Sequence, residues 1–403
     1  TMTTPPSNLG SSNLFKPIKV GSIELKNRLV LAPTGRRRCT RDNIPTDSML
    51  EYYAQRAENN GGLLIVEATS ANPILGIKEY VPMLHTEKQV KAFKKLTDAV
   101  HQNGSAIALQ MWGVGRNGSP KDLKDNGVPY TAPSAIYTNA ESEKAAKEAG
   151  NELRELSIPE IKELIKEFAE GAKRAINEAG FDFVEIHGAH QYLVDEFLQS
   201  VSNKRTDEYG GSIENRARFL FELLDATIDA IGADKVALRL SPYAECAGSE
   251  GIYAKINPMV TCGYVLSELE RRARNNKRIA YVSVVEPRVS GIFDNPDAAN
   301  IDFTWLDLIW KGVIVRAGAF LHESNIEKLR DVVNKNDRTL IAAGRFYTSN
   351  PDLADRLKRA LPLTPYDRST FYLFCSNVGY LGFGKYGETH DHSRDVIKPQ
   401  PLA

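Results

Sequence analysis

The sequence predicts an α/β fold: a single (β/α)8 TIM barrel with long loops over its C-terminal face. Three observations point there. Short apolar runs alternate with helical-period segments through 403 residues. No second compositional block interrupts them, and one barrel accommodates a chain of this length. Polar residues stand where the apolar runs end, which is where a barrel assembles its chemistry. A doubly wound open sheet is the rival arrangement for the same alternation.

In chain order, the expected strands are 28–32, 63–67, 106–110, 181–187, 236–240, 279–285, 313–317 and 339–343. Between them the helices announce their ends. Thr86-x-x-Gln89 is a capping box ahead of Val90, Phe93, Leu96 and Val100 on one face, stopped at Gly104. Ser157-x-x-Glu160 repeats the device before Ile161, Leu164, Ile165, Phe168, Ala172 and Ile176, stopped at Gly180. Ser212 caps a helix carrying Leu220, Leu223, Leu224 and Ile228, with Gly232 beyond its end. Asn350-Pro351 marks the start of the last helix. Long excursions at 112–156, 242–262 and 287–301 belong over the mouth of the barrel. Residues 1–12 read as a flexible arm, 13–385 as the barrel and 386–403 as a polar tail, with everything from Ser376 onward expected on the surface.

Composition narrows the function. Lys plus Arg and Asp plus Glu balance at 51 each, and no basic run offers a footprint for nucleic acid or an anionic membrane. No apolar run is long enough to span a bilayer, and the Ser/Thr/Pro-rich start has neither the basic head nor the apolar stretch of a secretory signal. Cys39, Cys246, Cys262 and Cys375 lie far apart with no CxxC pair, which suits unbridged thiols in a reducing, cytoplasmic setting.

The strand ends carry Thr34 and Gly35, Glu67, Gln110, His187 with His190, Arg239, Glu286, Gly318, and Gly344 with Arg345. Barrels often bind a phosphate beyond the last two strands, so Gly318, Gly344 and Arg345 are candidates for that site. The alternative is two turn glycines and an arginine paired with a surface acid. His187 and His190 leave one strand three residues apart, and as neutral donors they could polarise a carbonyl oxygen. Tyr192 follows as a proton donor. The pair could equally be core histidines, and HxxH with no glutamate or third ligand nearby is poor zinc spacing, so no metal is expected. Arg239 sits in an apolar strand and needs a partner, either a carboxylate or an anionic ligand. Gly113-x-Gly115-x-x-Gly118 is a literal dinucleotide fingerprint, but the polar stretch after it shows no apolar helical face, so it reads as a loop.

Several blocks together resemble one family. They include Asn27-Arg-Leu-Val-Leu-Ala-Pro33, His187-Gly-Ala-His-Gln-Tyr-Leu193, Arg239-Leu-Ser-Pro242, Val285-Glu-Pro-Arg288, the long block 203–219 and the block 344–353. In this order, over residues 13 to 385, they resemble the old yellow enzymes, flavin-dependent ene-reductases, and most of all the yeast branch. The resemblance implies non-covalent FMN across the barrel mouth and NADPH as reductant. It implies that Pro33, Thr34, Ala68, Gln110 and Arg239 contact the ring or ribityl chain, with Gly318, Gly344 and Arg345 on the phosphate. Phe371 and Tyr372 would cover the dimethylbenzene edge. His187 and His190 would hold the oxygen of an α,β-unsaturated carbonyl, an enone or enal. Tyr192 would protonate its α-carbon, and Trp112 would shape the pocket. Partners would be small molecules, with a homodimer left open.

The sequence also departs from the family. Gly35 falls where a threonine usually meets the flavin, with Thr34 one place early. Gln191 replaces a common glycine, Ala319 an asparagine and Ala342 a glycine, and His190 stands where yeast relatives often carry asparagine. Two rival functions share the fold: a steroid- or phenol-binding flavoprotein with little ene-reductase activity, and a sugar-phosphate isomerase or aldolase with Glu67 or Glu286 as base. No lysine stands at an expected strand end, which counts against an aldolase Schiff base.

Overall fold

Apolar runs buried on both faces form parallel strands, and here they close on themselves. A computed structural model describes residues 2–295 and 301–403. Eight strands form a closed barrel in chain order: β1 (Leu29–Leu31), β2 (Leu63–Thr69), β3 (Ala106–Met111), β4 (Phe183–Gly188), β5 (Val236–Leu240), β6 (Tyr281–Val285), β7 (Ile314–Ala317) and β8 (Thr339–Ala343). Each pairs in parallel with the next, and β8 returns to β1 through Ala342 opposite Val30. Inside the barrel Val30, Ile65, Ala108, Phe183, Ala237, Val315 and Leu340 pack together, and a hairpin of Ile18–Val20 with Ile23–Leu25 joins that core. The larger core lies between the strands and the outer helices.

Those helices are α1 (Asp47–Ala57), α2 (Glu87–Gln102), α3 (Ile158–Asn177), α4 (Ile213–Ile231), α5 (Pro258–Arg274), α6 (Thr304–Ile309), α7 (Leu329–Asn334) and α8 (Leu353–Arg359). Both capping boxes form. Thr86 Oγ1 accepts from Gln89 N at 3.3 Å while Gln89 Oε1 accepts from Thr86 N at 2.9 Å. Ser157 and Glu160 do the same at 3.3 and 3.0 Å. Ser212 Oγ accepts from Asn215 N at 3.2 Å. Each such cap stabilises its helix by about 1 kcal/mol.

Four expectations need correction. First, β2 runs on to Thr69 with a register shift between Val66 and Thr69, so Glu67 lies inside the sheet and not on its rim. Its carboxylate meets the Tyr53 hydroxyl of α1. Second, the polar stretch after Gly118 is not all loop. Ser119 caps a six-residue helix, Pro120–Asp125, by accepting from Asp122 N at 3.2 Å. Third, α8 begins at Leu353. A short helix, Arg345–Ser349, follows β8 directly, and Asn350 uses its side chain to bind Phe346 O and Thr364 O at 2.8 and 2.9 Å, tethering a loop where a cap was expected.

The fourth correction concerns the tail. Asn377, Tyr380 and Leu381 are buried, not on the surface. The cause is a pair of buried guanidiniums just after β1. Arg38 donates to Phe371 O, Thr370 O, Ser376 O and Val378 O at 2.7–2.8 Å, and Arg36 donates to Phe371 O at 3.0 Å and Gly379 O at 3.3 Å. Tyr380 stacks on Tyr52 at 4.3 Å. At the other end of the chain, Leu9 and Leu14 are buried and Leu363 N donates to Thr3 O at 2.8 Å. Of the excursion 287–301, residues 296–300 lie outside the described residues. Among the described residues no helix is long and apolar enough to cross a membrane.

Candidate active site

The strand ends and the loops after them enclose a cavity of about 450 Å³ at the C-terminal mouth. Of the residues singled out from sequence, Pro33, Thr34 and Gly35 line it from behind β1, Arg239 from β5, Gly318 from behind β7, and Gly344 with Arg345 from behind β8. His190, Phe371 and Tyr372 complete that set. Gln110, His187, Trp112 and Tyr192 are not among the lining residues, and neither is Ala68, half-buried in the β2 bulge.

A chain of rings joins several of them to the cavity. The His187 ring lies 6.1 Å from His190 and 5.0 Å from Tyr192, and Trp112 sits 5.9 Å from His187 and 4.6 Å from Tyr192. His187 Nδ1 accepts from Ala189 N at 3.2 Å, which assigns the ring proton to Nε2 and makes that nitrogen a donor. His190 Nε2 is shielded from solvent and has no hydrogen-bond partner in the protein. Burial, with the Arg239 charge nearby, pushes His187 well down and His190 down to about 3. Burial pushes the Tyr192 phenol up, aided by Cys246 and Tyr372 and opposed by Arg37.

These shifts have a measurable consequence. With their pKa values depressed, the imidazoles stay neutral well below the usual histidine pKa of about 6.5, and Tyr192 stays protonated past about pH 10. Turnover of a neutral acceptor, followed by anaerobic stopped-flow, should therefore show no histidine limb between about pH 5 and 9. The sign for stability is the opposite of an ion pair's. Stability contributed by the neutral histidines is present above about pH 6.5 and is lost as pH falls toward the folded value near 3.

The turn that presents Tyr192 is strained and held. His190 and Gln191 both have left-handed backbone, φ +57° and +62°, a conformation glycine adopts more cheaply. Gln191 is fully buried and clamped on every side: its N donates to Asp195 Oδ2 at 2.9 Å, its carbonyl accepts from Asn117 Nδ2 at 2.6 Å, and its Oε1 accepts from Arg116 Nη2 at 2.7 Å. His190 N donates to Ser241 Oγ at 2.9 Å. The family's glycine is thus replaced by a residue whose side chain supplies the bonds that hold the turn.

The open question about Arg239 is answered by a residue the sequence reading passed over. The charge of Glu185 on β4 offsets the burial of Arg239 without a direct ion pair, and His187 lies opposite Arg239 in the β4–β5 register. Glu185 is fully buried and accepts from Gln110 Nε2 at 2.9 Å and Tyr281 Oη at 3.1 Å. Burial pushes its carboxyl up, against the pull of Arg239, Gln110 and Tyr281. The signal was available: an acid and a base, each inside an apolar run, on consecutive strands.

At the far side of the cavity Gly318 holds φ +143°, a conformation L side chains rarely adopt. Arg345 pairs with Asp294 at 2.8 Å and donates to Tyr366 Oη at 3.2 Å, while Arg368 lies 3.4 Å from Asp294. Phe320, Tyr366 and Arg368 also line the cavity. They come from loops, and no strand-end position marks them in the sequence. Glu286, a candidate base, is held by Arg316 at 2.8 Å and Arg288 at 3.4 Å, and Glu67 by Tyr53. Neither carboxylate is among the residues lining the cavity.

Comparison with known proteins gives a consistent picture. Residues 13–364 match the model of the NADH:flavin oxidoreductase / NADH oxidase family. A probable NADPH dehydrogenase of Candida albicans is 45% identical over 403 residues, covering 98% of this chain and 95% of the relative. Enoate reductase 1 of Kluyveromyces lactis is 38% identical over 398 residues, covering 96% and 97%. The crystal structure of Old Yellow Enzyme from a Pichia species superposes with a TM-score of 0.94 at 54% identity, covering 98% of this chain and all of that one.

Proposed function

The chain belongs to the NADH:flavin oxidoreductase / NADH oxidase family, as a flavin-dependent oxidoreductase of the old yellow enzyme type, and from that premise we propose that it reduces the carbon–carbon double bond of α,β-unsaturated carbonyl compounds at the expense of NADPH. The observation that carries the proposal is the ring cluster beside the cavity, with His187 6.1 Å from His190 and 5.0 Å from the Tyr192 phenol ring.

FMN suits the cavity. Arg239 is buried, lines it, and has an Nε with no hydrogen-bond partner in the protein, so a polar edge of a bound molecule completes it. Pro33, Thr34, Gly35, Ala68 and Gln110 would border the ring and ribityl chain, and Gly318, Gly344 and Arg345 the phosphate. Phe371 and Tyr372 would close the aromatic edge. Arg345 would exchange its Asp294 partner for that anion or hold both. A bound FMN would supply the hydride chemistry that links NADPH to the substrate's β-carbon.

The chain's own residues do the rest. His187 Nε2–H and His190 donate to the carbonyl oxygen and hold the negative charge that develops there. Because both are neutral, they donate without adding a proton to solution equilibrium. Tyr192 carries a proton at Oη for the α-carbon, its raised pKa keeping it loaded. Trp112, packed against both His187 and Tyr192, limits where the substrate can lie.

The absorbance spectrum of the purified protein should show the flavin bands. Under anaerobic conditions NADPH should bleach them and 2-cyclohexenone should restore them. Recolouring by oxygen alone would leave a flavoprotein that binds such molecules without reducing them. The cytoplasm is the proposed compartment, since none of the four cysteines forms a disulfide among the described residues.

Gly35 offers a second handle. A Cβ built there meets nothing within 4 Å, so a threonine fits. Gly35→Thr should add one hydrogen bond to the reduced cofactor and raise the midpoint potential by about 30 mV, the equivalent of about 1.4 kcal/mol for a two-electron couple. Spectroelectrochemistry checks this, and an unchanged potential would show that the added hydroxyl does not reach the flavin.

A further inference from the structure

The C-terminal tail gathers a set of ligands unconnected with the cavity. His390, His392 and Asp395 each place one ligating atom within 4.8 Å of the others. His390 Nε2 lies 3.7 Å from Asp395 Oδ1, and His392 Nδ1 lies 3.2 Å from Asp395 Oδ2. The two rings are 4.1 Å apart. A short helical turn, His392–Arg394, produces this. Asp391 caps it by accepting from Ser393 N at 3.0 Å, which swings Asp395 back beneath the histidines.

Two features separate this cluster from an ordinary surface group. His390 Nε2 and Asp395 Oδ1 are both shielded from solvent and have no hydrogen-bond partner. Orphaned buried polar atoms are costly, and here an acceptor and a ring nitrogen face one another. The charge is unbalanced as well. Arg394, the sequence neighbour of Asp395, is committed to Glu51 on α1. Among the described residues, the Asp395 carboxylate pairs with the two imidazoles alone, and with no lysine or arginine. A cation bound by both nitrogens and the carboxylate answers both problems at once.

The ring orientation is fixed from behind. Phe383 meets His390 edge to face at 4.7 Å, and Asp391 N donates to Gly382 O at 2.8 Å. A Cβ on Gly382 would come 2.7 Å from His390 Nε2, so glycine is what lets the ring approach.

We propose that His390, His392 and Asp395 form a structural site for a divalent transition cation of the zinc, nickel and copper class. Two imidazole nitrogens and one carboxylate oxygen suit those ions, whereas calcium and magnesium favour oxygen ligands throughout. The remaining coordination positions go to water, since the His392 side chain is 79% exposed. The ion closes the turn where the tail folds back on residues 382–384. It reinforces a strap otherwise held by Arg394 on Glu51 and by Gln400 and Asp47, which exchange hydrogen bonds at 2.8 and 2.9 Å.

The test uses the untagged flavin-loaded protein, stripped with EDTA, desalted and titrated with Zn²⁺ in a calorimeter. One equivalent should bind, and saturation should raise the melting temperature by about 3 °C. His392→Ala removes an exposed side chain and Asp395→Asn is isosteric, so both should fold. Each should weaken zinc binding by about tenfold or more while NADPH turnover without zinc stays unchanged. Absence of zinc binding would overturn the proposal. So would one equivalent bound with equal affinity in wild type and both variants, which would put the ion elsewhere, for instance on the His187–His190 pair.

Discussion

Tyr192→Phe is expected to slow alkene reduction by about 10²–10⁴-fold while NADPH still bleaches the flavin at its normal rate. The split follows from where the phenol stands. It is packed against Trp112 and His187, and it lies outside the residues that line the cavity. Removing the hydroxyl leaves the ring packing intact and takes away only the proton. Stopped-flow measurement of the two half-reactions separates the effects. Equal loss in both would mean that the phenol positions the cofactor and does not serve as the acid. A variant that slowed neither would leave the α-carbon to be protonated by water, and Tyr192 would then be a wall of the pocket.

The second large effect is on stability. Arg239→Leu leaves Glu185 fully buried without the charge that partly offsets its burial, and a buried polar group left less well compensated costs about 1–3 kcal/mol. Denaturant unfolding should show that loss. Glu185→Gln in the same chain should recover much of it, because a neutral amide keeps hydrogen bonds to Gln110 and Tyr281 without an uncompensated charge. The pH dependence identifies the cause. In Arg239→Leu the Glu185 carboxyl, already pushed up by burial, rises further, so the folded state holds a proton that the unfolded chain releases. The variant's deficit should grow as pH rises above the unfolded value of about 4.3, and a pH-independent deficit would assign it to packing instead.

The elements most legible in the sequence were those governed by local rules. All eight barrel strands were readable because parallel strands buried on both faces leave near-continuous apolar runs, and two of them, β5 and β8, match at both ends. The capped helices were readable because Thr86, Ser157 and Ser212 act within three residues. Of the cavity residues, Thr34, Gly35, His190, Arg239, Gly318, Gly344 and Arg345 were visible as strand ends. What escaped depends on contacts distant in sequence. Glu185 offsets Arg239 54 residues away in numbering, across the β4–β5 pairing, and nothing local pairs the two. Tyr380 is buried by arginines more than 340 residues earlier. Asn350 looked like a helix cap because Asn-Pro usually marks a start, yet a loop 14 residues on competes for its amide.

The two guanidiniums that pin the tail bind its main chain and rest against two of its rings, Phe371 and Tyr380. The hydrogen bonds of Arg36 and Arg38 to Thr370, Phe371, Ser376, Val378 and Gly379 all go to main-chain oxygens. Those hydrogen bonds do not depend on the Tyr372 side chain, which with Phe371 supplies part of the cavity's wall. Evolution, or an engineer, can exchange Tyr372 to suit a bulkier or smaller guest and keep the roof at the same height.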